Sequence, residues 1–208
     1  MSYSFSNTTN TATNNNNNFG QSDDSKNDIK PDNSVSIQDS ISCLEWMNYN
    51  QSMPNNFFAS VGWDSTFRLF EVNQANYGSS ISQKATANIG TPALSCCWSP
   101  DNSQIYCGCI DGTIKSIDTT NMSVNNVGKM NTGISTLHMI PGQNILISTA
   151  YENNIQFWQN GNPSPVFTLD VGNKVFASDF KNNLYTCGTA NEKIIFFDIN
   201  NMQQKTVL

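Results

Sequence analysis

With 208 residues, 38% of them hydrophobic and only 12% charged, the chain can bury the core of one ordinary domain. Sixteen acids against ten bases give a net charge of −6, and Arg68 is the only arginine. A broad phosphate-binding face needs clustered Lys and Arg, so strong nucleic-acid binding is excluded and direct RNA binding is expected to be weak at most. No stretch approaches the roughly eighteen apolar residues of a membrane span, and the N-terminus lacks a charged-then-apolar leader. A soluble chain with no membrane segment and no secretion signal is expected.

The first 38 residues are of low complexity, with a five-asparagine run at 14–18. Residues 1–40 hold 9 Asn, 8 Ser and 4 Thr but only 8 apolar residues, too few to offset the entropy lost on ordering. Residues 1–34 are therefore expected to form a disordered Asn/Ser-rich tail. Phe19-Gly20 is a single Phe-Gly dipeptide within it. Val35-Ser36-Ile37 differs, because its apolar-polar alternation suits a strand added to a sheet edge. Counting that strand, the globular part spans residues 35–208.

From Asp39 onward one pattern recurs four times. A first apolar strand is expected at ISCLEW (41–46), ALSCCW (93–98), ISTLHM (134–139) and VFASDF (175–180). A second follows a turn at FFASVG (57–62), QIYCGC (104–109), NILISTA (144–150) and NLYTCG (183–188). A third lies at FRLFEV (67–72), TIKSID (113–118), IQFW (155–158) and KIIFFDI (193–199), and weaker outer strands lie at 82–87, 123–128, 165–170 and 203–208. The turn before the third strand aligns Asp64, Asp111, Glu152 and Asn191 at intervals of 47, 41 and 39 residues. Six residues later come Phe70, Ile117, Trp158 and Phe197. An acid at such a turn can accept backbone N–H groups where the strands reverse, and Gly112 suits a left-handed position there. With β-branched and aromatic strands and no 3.6-residue periodicity, an all-β propeller of stacked antiparallel sheets is expected.

Six cysteines (Cys43, Cys96, Cys97, Cys107, Cys109 and Cys187) form no CxxC pair, and the single histidine, His138, has no cysteine at zinc spacing. Most sit in alternating apolar runs, where a free thiol behaves as a small hydrophobe. Buried, reduced cysteines, no metal and no cofactor are expected, in a cytosolic or nuclear compartment. His138 lies within a strand with no matching acid, and neither a GxxxxGK[ST] loop nor an HExxH pair occurs, so no enzyme activity is expected. Trp46, Trp98 and Trp158 lie on strands and are expected in the core.

The segments D-S-I-S-C-L (39–44), V-G-W-D-S-T-F-R-L-F-E-V (61–72), P-A-L-S-C-C-W-S-P-D-N-S (92–103), K-V-F-A-S-D-F (174–180) and C-G-T-A-N-E-K (187–193) resemble the WD-repeat family. Within it they resemble the Rae/Gle mRNA export factors of the nuclear pore, in order and in spacing, over roughly residues 35–208. The Bub-type mitotic checkpoint propellers share the architecture, but the P-x-L-x-x-x-W-S run at 92–99 and the long polar tail favour the export factors. The chain departs from the family in lacking the Gly-His element, so no repeat can build the full Asp-His-Ser/Thr-Trp network. The family closes a seven-bladed ring, whereas four blades are visible here. The resemblance implies that the other blades lie beyond residue 208 or come from elsewhere, with Val35-Ser36-Ile37 latching the outer edge of the final blade.

The resemblance implies a non-enzymatic adaptor that docks a nucleoporin through that partner's Gle-binding segment, alongside other nuclear pore or messenger-ribonucleoprotein components. The location implied is the nucleus and the nuclear envelope, with the cytoplasm as well. A checkpoint scaffold binding checkpoint kinases is the alternative. Partner contact is expected on one rim, where Trp63, Ile110, Tyr151 and Ala190 hold equivalent positions and Asp64 and Glu152 adjoin the aromatics. Exposed Trp and Tyr there suit a binding hot spot. Arg68 either pairs with Asp64 or reaches a partner carboxylate.

Overall fold

Each of the four repeats forms one antiparallel sheet of four strands, and helix is absent among the described residues. The computed structural model describes residues 35–49, 56–75, 78–201 and 203–208, so the tail expected at 1–34, with Phe19-Gly20, lies outside the described residues. Blade 1 comprises β1 (Ile41–Trp46), β2 (Phe57–Gly62), β3 (Thr66–Ala75) and β4 (Gly78–Asn88). Blade 2 comprises β5 (Ala93–Trp98), β6 (Gln104–Cys109), β7 (Thr113–Asp118) and β8 (Val124–Lys129). In blade 3 the strands are β9 (Ile134–Ile140), β10 (Ile145–Ala150), β11 (Asn154–Gln159) and β12 (Phe167–Asp170). In blade 4 they are β13 (Val175–Lys181), β14 (Leu184–Thr189), β15 (Ile194–Asp198) and β16 (Gln203–Val207). Sequential strands pair in every blade.

The first strands meet along one axis, β1 against β5, β5 against β9 and β9 against β13. Each carries a bulge at the same place, with Ser42, Leu94, Ser135 and Phe176 as the extra residues. A bulge adds twist, which suits the splay of blades around an axis. Because side chains alternate between faces, each strand of a middle blade feeds two seams. Cys96, Ile105 and Cys107 join Ala59, Val61 and Phe67 between blades 1 and 2. Cys97, Tyr106 and Ile114 turn the other way and meet Ile134, Leu146 and Trp158 between blades 2 and 3. Ile147, Phe157, Tyr185 and Phe197 fill the seam between blades 3 and 4. Each blade is thus stabilised by its immediate neighbours rather than by one central core.

The outer faces of the end blades show the same rule in reverse. Leu44 and Trp46 on β1, and Leu184 and Ile194 in blade 4, are exposed. Trp98 and Trp158 are buried as expected, but Trp46 is 58% exposed. The alternation that turns Cys43 into the first seam turns Trp46 away from it, onto Phe58 at 5.3 Å between ring centroids, and Phe58 in turn stacks on Phe70 at 5.0 Å. Residues 35–38 are irregular, and the described residues hold no blade beyond the fourth for them to latch. They are held at the edge of blade 1 instead, where Ser36 accepts a hydrogen bond from Arg68.

Candidate partner-binding rim

One hydrogen bond, repeated four times, sets the rim. The backbone N–H of Trp63 donates to Ser40 O at 2.9 Å, that of Ile110 to Pro92 O at 2.9 Å, that of Tyr151 to Gly133 O at 3.1 Å and that of Ala190 to Lys174 O at 2.9 Å. Each ties the turn after a blade's second strand to the residues just before its first strand. With the backbone group satisfied inward, the side chain turns outward. Trp63 is 45% exposed, Ile110 38% and Tyr151 39%, and Ala190 is exposed as well. The structure therefore brings all four equivalent positions to one rim.

The turn acids divide into two kinds. Asp64 accepts the Thr66 N–H at 3.1 Å, and Asp111 accepts both the N–H and the hydroxyl of Thr113, at 3.0 and 2.6 Å. Gly112 has φ +84°, and a Cβ there would lie 2.3 Å from Met130 O, so a side chain is barred by conformation and by space. Glu152 is one methylene longer and does something else: its carboxylate accepts a hydrogen bond from the Asn131 side chain at 3.2 Å. In blade 4 the Thr189 hydroxyl donates to Asn191 at 2.6 Å.

Arg68 and Asp64 form a bidentate pair, Nη1 to Oδ1 at 3.2 Å and Nη2 to Oδ2 at 2.5 Å, with both side chains almost fully buried. Nη2 also donates to Ser36 O at 2.8 Å. Of the two roles open to Arg68, the structure shows the internal pair. The guanidinium of Arg68 shapes the loop beneath Trp63 and holds residues 35–38 against it. Its hydrogen bonds keep the Asp64 carboxyl below the ordinary aspartate range, against the opposing effect of burial. A depressed folded pKa means stabilisation that is complete above the unfolded value and lost as pH falls through the folded one. Acid unfolding monitored by tryptophan fluorescence should therefore show stability falling with pH across that window. Asp64→Asn, less stable at neutral pH, should show a flatter fall.

Tyr151 does not stand alone. Its ring lies 6.1 Å from that of Phe176, which is 57% exposed, so an aromatic pair bridges the rim between blades 3 and 4. Sequence reasoning missed Phe176. Its signal is a large apolar residue at the bulge position that serine occupies in blades 1 and 3. His138 is structural: its Nε2 meets Ser178 Oγ at 3.0 Å, its ring abuts Tyr185, and burial pushes its pKa down despite nearby Asp179. Trp158 Nε1 donates to Ser148 Oγ at 2.8 Å, a two-residue remnant of the network that one histidine could not complete.

The WD domain, G-beta repeat family matches residues 86–118, from the outer strand of blade 1 through the third strand of blade 2. The chain is similar to protein Rae1 of Drosophila melanogaster, at 28% identity over 78% of this chain and 46% of that protein. It is similar to the mRNA export factor of Xenopus tropicalis, at 25% identity over 78% of this chain and 44% of that one. With the spindle assembly checkpoint protein bub3 of Schizosaccharomyces pombe it shares 21% identity over 74% of this chain and 46% of that protein. The chain thus spans just under half the length of each of these relatives. Among solved structures, the computationally designed Ika8 protein superposes with a TM-score of 0.65 and 18% identity, over 83% of this chain and 50% of that one.

Proposed function

We propose that this chain, a WD-repeat protein related to the mRNA export factors and to the bub3-type checkpoint proteins, is a non-enzymatic adaptor at the nuclear pore serving mRNA export. The observation that carries the reading is the row of equivalent rim positions at which Trp63, Ile110 and Tyr151 stand exposed on clamped turns. A rigid rim bearing large amphipathic side chains suits capture of a segment that orders on binding. The segment is the Gle-binding stretch of a nucleoporin. Asp64 and Arg68 support Trp63 from beneath, and Glu152 flanks Tyr151. The chain resides in the nucleus and at the nuclear envelope, and its acidic balance leaves messenger-ribonucleoprotein contact to protein partners.

Titration of a labelled Gle-binding peptide tests this reading. Trp63→Ala should weaken binding by about tenfold or more, because an exposed tryptophan removed from a hot spot costs about 2 kcal/mol or more. Its unfolding midpoint should stay close to wild type, since surface substitutions shift stability by only about 0.5 kcal/mol. Unchanged affinity, or a stability loss of core size, would contradict the assignment. The bub3 match favours a second reading, in which the same rim takes a segment of a checkpoint kinase.

A further inference from the structure

The geometry points to Cys43 and Cys96 as a reversible thiol–disulfide site that, on exposure to a peroxide, covalently staples the first strand of blade 1 to the first strand of blade 2. The two thiols face each other across the first seam, with Cys96 Sγ 3.6 Å from Cys43 Sγ. The same layer of the other seams is closed without a covalent option. Between blades 2 and 3, Ser95 Oγ accepts the Leu137 N–H at 3.1 Å, and between blades 3 and 4 the Thr136 and Ser178 hydroxyls bond to each other. Only the first seam places sulfur on both sides of this contact. Forming a disulfide needs the sulfurs to close to about 2.05 Å. The Cys43 side chain, half-buried beside a cavity, can turn to supply that shift.

Access and reactivity agree with the placement. Cys43, Cys96 and Cys97 all line a cavity of about 690 Å³ beside Ser95, Thr136 and His138, but only Cys43 is half-buried, whereas Cys96, Cys97, Cys107, Cys109 and Cys187 are buried. The hydrogen bond from Cys96 brings the Cys43 thiol down to about 7 against the effect of burial, while Cys96 itself is pushed well up. Cys43 is thus the attacking thiolate and Cys96 the resolving thiol. The Cys43 sulfur attacks one peroxide oxygen, breaks the O–O bond and becomes a sulfenic acid as the other oxygen leaves as water. The Cys96 sulfur then attacks the Cys43 sulfur, the S–S bond forms, and the sulfenic oxygen leaves as a second water. Each sulfur is oxidised by one electron, and hydrogen peroxide accepts two.

The test treats the full chain, folded and reduced, with stoichiometric hydrogen peroxide and reads it by non-reducing peptide mass spectrometry. The expected result is one linked peptide pair, Cys43 to Cys96, lighter by two hydrogen atoms and restored by dithiothreitol. Amide exchange across Ile41–Trp46 should slow in the oxidised form. Cys43→Ser should abolish the link while Cys187→Ser leaves it intact. Because the wild-type chain carries the primary readout, the test does not depend on any variant folding. Oxidation of Cys43 to sulfinic acid without a link, links among other cysteines, or a link formed only after denaturation would each overturn the proposal.

Discussion

Trp158→Ala is expected to cost about 3–5 kcal/mol of stability, a large share of what holds a domain of this size together. Trp158 is 1% exposed and packs with Ile114, Leu137 and Leu146 in the seam between blades 2 and 3. Its ring occupies space kept open by Gly128, where an added Cβ would lie 2.2 Å from it. Removal leaves a cavity between two sheets whose backbones are pinned by their own ladders, so collapse is restricted. Gly128→Ala should destabilise for the opposite reason, overpacking the same spot at about 1–3 kcal/mol. Denaturant unfolding of the two variants checks the pair. A loss below about 1 kcal/mol for Trp158→Ala would show that the seam does not hold the blades together.

Arg68→Met should be nearly as damaging, at about 3–5 kcal/mol, because it leaves the Asp64 carboxylate buried without its counter-charge. Arg68→Met combined with Asp64→Leu should recover much of that loss, since replacing both partners by apolar groups removes the stranded charge. The single variant should also release residues 35–38, whose hold on blade 1 runs through Ser36 and Gln38. Thermal unfolding of the three proteins reads the first effect, and amide exchange at Ile37 and Gln38 reads the second. Equal losses for the single and double variants would show that packing of the Arg68 stem, rather than charge, dominates.

The strands were legible because each repeat carries the same apolar alternation between turn signals, and the outer strands fell where the weak patterning put them. The rim was legible for the same reason: a gap-free alignment puts Trp63, Ile110, Tyr151 and Ala190 in register, and register fixes which way a side chain points. What alternation cannot supply is whether a second sheet stands opposite. Trp46 and Trp98 have the same local pattern, yet one is exposed and the other buried, because among the described residues only the latter has a blade on each side. The Asp64–Arg68 pair was one of two readings open to the sequence, whereas the partner of Glu152 was closed to it. One carboxylate sits four residues from a guanidinium and the other one loop away from Asn131, and only three-dimensional placement selects these partners. Phe176 and the Cys43–Cys96 contact escaped because both depend on where a bulge and a seam fall across blades.

The central claim, that this rim serves a nuclear pore adaptor, is tested most directly by affinity capture of the tagged protein from cells that express it, after nuclease digestion. The wild-type chain should recover a nucleoporin bearing a Gle-binding segment, and Trp63→Ala should recover it at a tenth or less of that level, in line with a hot-spot residue. Recovery of checkpoint kinases in place of the nucleoporin, or of a nucleoporin that disappears with nuclease and ignores Trp63→Ala, would contradict the account.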